Sequence, residues 1–169
     1  GPPVRIMAQA EVPPPPEADG YRLAFASPFD LRAIHRLERI VFPGEAYGYL
    51  DLLMLLLAPG MVNLKIVAPD SALVGFVSGG RLFRVGRTWI MTIGVHPAHQ
   101  RRGLGRWLLE ACESLLPDRT IYLTVRTDNH RAITLYRLNG YREVGIKPGY
   151  YGNGQPGIEM RKDRPAGAG

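Results

Sequence analysis

The chain has 169 residues, 46% hydrophobic and 21% charged, with 21 Lys plus Arg against 15 Asp plus Glu and a net charge of +6. That length supports one domain with a proper core, and the basic balance suits an anionic partner: a phosphorylated cofactor, nucleic acid or an acidic protein surface. The single cysteine, Cys112, excludes an intrachain disulfide framework and a cysteine-rich metal site, and points to a reducing cytoplasm.

Residues 1–20 are rich in Pro, Ala and Glu, with "PPPP" at 13–16 and no apolar stretch of the kind a secretory signal needs. Such a segment has little apolar surface to pack and reads as a disordered, polyproline-like arm, as does the tail at 163–169. The domain between them, 21–162, opens with "YRLAFA" as a strand. "SPFDLRAIHRLERIVF" then starts a helix with Ser27 as N-cap, Pro28 at the first helical position and Asp30 in the first turn. A short leucine-rich helix, "YLDLLMLLLA" at 49–58, is too short to span a bilayer and reads as buried on several sides. "VNLKIVA" and "ALVGFVSGGRLF" are two strands joined at "PDS", and "TWIMTIGV" is a nearly continuous apolar strand expected at the centre of a sheet. After Gly103 a helix carries its stripe at Leu104, Leu108, Cys112 and Leu115, which makes Cys112 a core residue. "TIYLTV", "NHRAITLYRLN", "YREVGI" and "GIEMRK" follow as strand, helix, strand and strand. The order is β-α-α-β-β-β-α-β-α-β-β, an α/β fold on a mixed sheet with helices on both faces.

"HPAHQRRGLGRWLLEAC" joins the central strand to that helix. A strand passing through glycines into a helix N-terminus offers free backbone N–H groups and the positive end of a dipole, and so can hold an anion. It is not a P-loop, because Gly105 is followed by Arg106-Trp107 instead of Lys-Ser/Thr. Nor is it the dinucleotide fingerprint, because Leu108 stands where the third glycine belongs.

Gln100-Arg101-Arg102-Gly103-Leu104-Gly105 instead resembles the acyl-CoA diphosphate loop of the GNAT acetyltransferase superfamily, Gln/Arg-x-x-Gly-x-Gly/Ala. "RTDNHRAITLYRLNGY" is similar to the family's second cofactor segment, with Asn129, Tyr136, Gly140 and Tyr141 in its places. The resemblance is closest to RimI-type enzymes and the N-α-acetyltransferase catalytic subunits, through "ERIVFPGEAY", "IMTIGVHP" and "GYY". It implies a GNAT fold and acetyl-CoA as donor, held by Ile93, Gly94, Val95, Gln100, Arg101, Arg102, Gly103, Leu104, Gly105, Arg106, Asn129 and Tyr136. It also implies direct transfer to a primary amine, most fittingly a protein or peptide N-terminus gripped by Phe42, Pro43, Tyr47, Tyr150 and Tyr151. Backbone N–H groups near Gly94 and Val95 would face the acetyl carbonyl, and Tyr136 would return a proton to the thiolate.

The base departs from the pattern. Relatives carry Glu or His on the strand before the second segment, where this chain has Thr124, and Trp89 replaces the tyrosine that some carry on the central strand. Thr124 cannot act as a base, so it is assigned a water relay, with Glu45, Glu38 and Tyr151 as substitute bases. An α-amine costs about 1.4 kcal/mol to deprotonate at pH 7 and a lysine roughly 4.6, which favours α-amines in a weakly basic site.

Two other readings stand beside this one. One is a GNAT acting on a small amine such as a polyamine, amino acid or aminoglycoside; a wide acidic pocket would favour a polyamine or aminoglycoside. A non-catalytic acyl-CoA sensor would have lost its base. No metal, membrane or nucleic-acid partner is expected, and the assembly is read as monomer or homodimer. His96 and His99 lack further ligands nearby, and no basic stripe with interleaved aromatics is present. Arg81, Arg84 and Arg87 read as a solvated basic edge.

Overall fold

The computed structural model describes residues 12–151 and 154–165. Its strands are β1 (Arg22–Phe25), β2 (Met61–Val67), β3 (Leu73–Gly80), β4 (Thr88–Val95), β5 (Thr120–Arg126), β6 (Arg142–Lys147) and β7 (Gly157–Asp163). Its helices are α1 (Leu31–Val41), α2 (Tyr49–Leu57), α3 (Leu104–Ser114) and α4 (His130–Leu138), in the chain order expected from the sequence. The start of α1 is a 3-10 turn at Pro28–Asp30 closed by a capping box, in which Ser27 N donates to Asp30 Oδ2 at 2.9 Å.

The seven strands form one sheet in the order β1-β2-β3-β4-β5-β7-β6, which puts β4 in the middle. All neighbours are antiparallel except β4 and β5, which run parallel and pair at Thr88–Ile121 and Trp89–Tyr122 only. Beyond Trp89 the two central strands part. α3 and α4 cover one face of the sheet, where Leu108 and Cys112 lie over Gly75 and Gly79 of β3 and join the main core. α1 and α2 cover the other face, where Ile34, Leu37 and Leu52 close over Phe76.

Three expectations need correction. Residues 12–20 are not unpacked: Val12 and Ala18 are buried in the main core, and Pro16–Ala18 forms a 3-10 turn. The segment's few apolar groups suffice because its carbonyls also find donors in Arg102 of the loop before α3 and Trp107 of α3. Residues 1–11 lie outside the described residues. At the other end, Asp163 completes β7, and Arg164 is buried, its guanidinium bound to the carbonyls of Glu113, Leu116 and Asp118 at the end of α3. Residues 166–169 again lie outside. Finally, α2 is not buried on several sides: Leu52 and Leu55 face the core, but Leu50 is 83% and Leu57 63% exposed. No helix among the described residues is long and apolar enough to cross a membrane.

Candidate active site

The parting of β4 from β5 opens a cavity of about 800 Å³. Its walls come from the end of α1, β4, the loop into α3, β5 and α4, with Lys147, Tyr150 and Tyr151 on the far side. In the main chain of β4, His96 N donates to Val74 O of β3 at 2.8 Å. The alternation of an antiparallel ladder then gives the Gly94 N–H to β3 as well, and turns those of Ile93 and Val95 toward the gap. Gly94 therefore does not supply the N–H expected of it. Its part is steric, since a Cβ there would stand 3.0 Å from Val41 at the end of α1.

The loop into α3 has the features of a diphosphate cradle. Gly103, at φ +78°, is the N-cap of an eleven-residue helix and provides no side-chain cap for the first-turn N–H groups. Arg101, Gly103, Leu104, Gly105 and Arg106 all line the cavity. The Arg106 guanidinium is shared with Glu110 at 2.7 Å. Gln100 braces the loop: its amide donates to Val95 O at 3.2 Å and its carbonyl oxygen accepts from Arg131. Arg102 is a correction, for it does not line the cavity. It turns outward, over the Tyr21 ring at 5.5 Å and onto the Glu17 carbonyl at 3.3 Å. Asn129 caps α4 by accepting from Ala132 N at 3.2 Å, at the cavity wall. Tyr136 is buried about two turns further along α4, also at the wall, and burial raises its phenol well above the usual value. Uncapped helix donors, a glycine entry and two arginines fit the diphosphate of coenzyme A.

On the opposite side, Phe42 and Tyr47 face Tyr150 and Tyr151, whose rings meet edge to face at 5.0 Å. Tyr47 Oη donates to Met91 O at 3.2 Å. Pro43 belongs elsewhere: it lines a separate hollow with His35, Arg39 and Gly48, because the turn after Phe42 points it away from β4.

Among the substitute bases, the structure separates three carboxyl and phenol groups that the sequence could not rank. Glu45 lines the cavity but is ion-paired with Arg126. Tyr151 is half-buried, and burial raises its phenol above the usual value. Glu38 is buried at the cavity wall, where Oε2 accepts from Thr92 Oγ1 at 2.8 Å and Oε1 is buried with no partner. Burial pushes its pKa up to about 7, opposed by the Thr92 hydrogen bond and by the nearby backbone N–H of Tyr47. Thr124 Oγ1 is a second buried oxygen at this cavity without a partner. The helical position of Glu38, four residues after Ile34 and three before Val41, puts it on the buried face of α1, and β4 of a distant segment completes its environment.

His96 accepts from Ala98 N at 3.0 Å, and His99 shares a 2.8 Å hydrogen bond with Tyr21. Both histidines thus serve the loop.

Residues 31–141 match the acetyltransferase (GNAT) family. The chain is 39% identical over 117 residues to N-alpha-acetyltransferase RimI of Mycobacterium tuberculosis, spanning 62% of this chain and 74% of that protein. It is 37% identical over 97 residues to the [ribosomal protein bS18]-alanine N-acetyltransferase of Salmonella typhimurium, spanning 56% and 64%. In fold it is similar to the ribosomal-protein-S18-alanine N-acetyltransferase from Escherichia coli, with TM-score 0.74 at 24% identity over 87% of this chain and 96% of that one. It is also similar to Arabidopsis thaliana NAA60 in complex with a bisubstrate analogue, with TM-score 0.75 at 22% identity over 86% and 99%. The chain belongs to the GNAT acetyltransferase family and uses acetyl-CoA as its donor.

Proposed function

We propose that this GNAT acetyltransferase acetylates the α-amine of a protein or peptide N-terminus, with Glu38 taking the amine's proton. The observation that carries the reading is the Glu38 carboxyl: buried, half-satisfied, raised to about 7, and on the same cavity as the donor loop. The similarity to RimI-type α-amine acetyltransferases supports it.

When bound, acetyl-CoA supplies the thioester whose acetyl group is transferred. The chain's own groups do the rest. Glu38 Oε1 accepts a proton from the incoming ammonium, directly or through a water held at Thr124 Oγ1. The N–H groups of Ile93 and Val95 present fixed donors to the acetyl oxygen, at no cost in reorganisation because the sheet leaves them unpaired there. Tyr136 Oη, kept protonated by burial, would give its proton to the thiolate and be restored by the second proton that the nitrogen loses as the amide forms.

Glu38, raised to about 7, is matched to an α-ammonium near 8: the transfer is uphill by about 1.4 kcal/mol. From a lysine near 10.4 it is uphill by about 4.6 kcal/mol. The walls fit the same acceptor. Of the two carboxylates lining the cavity among the described residues, Glu45 is tied to Arg126, so the acidic surface a polyamine would need is reduced to Glu38. Phe42, Tyr47, Tyr150 and Tyr151 instead offer an aromatic slot for a peptide end. The cytoplasm, where Cys112 stays a buried free thiol, is the proposed compartment.

The test compares peptides with a free N-terminus against N-terminally blocked peptides carrying one lysine, following thiol release. A preference of about two orders of magnitude for the α-amine is expected. Equal or faster reaction of the blocked peptide would overturn the proposal.

A further inference from the structure

Residues 12–21 run in the opposite direction alongside the donor loop and the first turn of α3, and touch them at four successive places. Tyr21 Oη and His99 Nδ1 share a hydrogen bond of 2.8 Å. The Glu17 carbonyl accepts from Arg102 at 3.3 Å. Pro15 lies so close to Gly103 that a Cβ there would stand 3.0 Å from its ring. The Val12 carbonyl accepts from the Trp107 indole N–H at 3.0 Å. Each step back along the segment is a step forward along the loop and into α3.

The segment is itself anchored. Val12 and Ala18 are buried in the main core, and Ala18 N closes the 3-10 turn on Pro15 O at 3.0 Å. β1 follows directly. On the other partner, Arg101 at φ +67° and Gly103 at φ +78° both hold left-handed backbone inside the phosphate-facing stretch. For a non-glycine residue such a conformation costs on the order of 1 kcal/mol and persists only where the surroundings over-determine it. The surroundings here are the cavity on one side and residues 12–21 on the other.

We infer that residues 12–21 are the outer wall of the donor site, a clamp that holds the Gln100–Gly105 backbone in its phosphate-binding shape before the ligand arrives. The inference rests on the reading of that loop as the coenzyme A cradle. Pro15, Tyr21 and Trp107 are positioning residues: Pro15 and Tyr21 touch the loop, Trp107 ties Val12 to α3, and none of them lines the cavity. Their contribution is preorganisation, which appears as donor affinity and leaves the chemistry at Glu38 untouched.

The test uses the full chain with the double variant Pro15→Gly/Trp107→Phe, and Tyr21→Phe by itself. Coenzyme A binding is measured by calorimetry, and amide exchange is measured on the ligand-free protein. The double variant is expected to bind coenzyme A about tenfold more weakly and Tyr21→Phe about threefold more weakly. Amides of residues 100–105 should exchange at least about fivefold faster, while those of β2 and β3 keep parental rates. At saturating donor, kcat and the acceptor KM should stay within about twofold of the parent. Unchanged coenzyme A affinity in the variants overturns the inference, as does faster exchange spread evenly over the sheet. If the double variant does not fold, Tyr21→Phe, which deletes one hydroxyl, decides alone. A parent chain that does not bind coenzyme A overturns the donor-loop reading itself.

Discussion

Thr92 Oγ1 donates a 2.8 Å hydrogen bond to one carboxylate oxygen of Glu38, while the other oxygen is buried with no partner. The pair joins α1 to β4 and fixes the carboxyl at the wall of the cavity.

Glu38 should impose the acidic limb of the pH profile. A base must be ionised to act, so kcat/KM should fall as pH drops below about 7. Glu38→Gln should lose about 10²–10³-fold in kcat and lose that limb. Steady-state rates between pH 5.5 and 9 check both.

The same group links stability to pH. Its folded value, about 7, lies above its ordinary 4.5, so its contribution is fully present below about pH 4.5 and is lost as pH rises through 7. The loss is on the order of 3 kcal/mol. Denaturant melts of the parent at pH 5 and pH 8 should show it, and Glu38→Gln should flatten the difference.

Thr124→Val tests the relay. The hydroxyl is buried without a protein partner, so its removal should leave stability unchanged or raise it by up to about 1 kcal/mol. If it orders a water for proton transfer, kcat should fall about tenfold with little change in donor KM. Thr124→Ser should retain most of the rate.

Tyr136→Phe separates an enzyme from a sensor. The ring is buried and packs against Tyr141 at 6.0 Å between centroids, so the phenylalanine variant should fold normally. Turnover should drop about 10²-fold while coenzyme A affinity stays within about twofold. Parallel calorimetry and rate measurements decide.

Arg164→Ala tests the C-terminal anchor. Its guanidinium donates to Glu113 O at 2.6 Å and Leu116 O at 2.7 Å, where α3 ends, and Glu113 O also accepts from Leu116 N at 3.1 Å. Loss of about 2–4 kcal/mol is expected from thermal or denaturant unfolding, with kcat unchanged.

Element order was legible because each helix and strand is coded by local periodicity and local turns. The stripe Leu104, Leu108, Cys112 needs only α3 to be seen, and the Gly103 entry needs only its neighbours. The burial of Glu38 is legible in its helical spacing from Ile34 and Val41, whereas its partner Thr92, fifty-four positions away, is not. Arg102 looked like Arg101 for the opposite reason: adjacent residues in one loop share a composition but not a direction. The Pro-rich segment has too little apolar content to signal packing, whereas residues 12–21 are also held by carbonyls bound to Arg102 and Trp107.

The parting of β4 from β5 leaves the donors at Ile93 and Val95 as peptide groups, not side chains. A side-chain exchange at either position keeps the N–H where it is; proline alone deletes it. This part of the site is therefore carried by the path of the backbone and is insulated from most single substitutions. Its points of failure lie instead in residues that set that path, such as Gly94 against Val41 and Gln100 against the Val95 carbonyl.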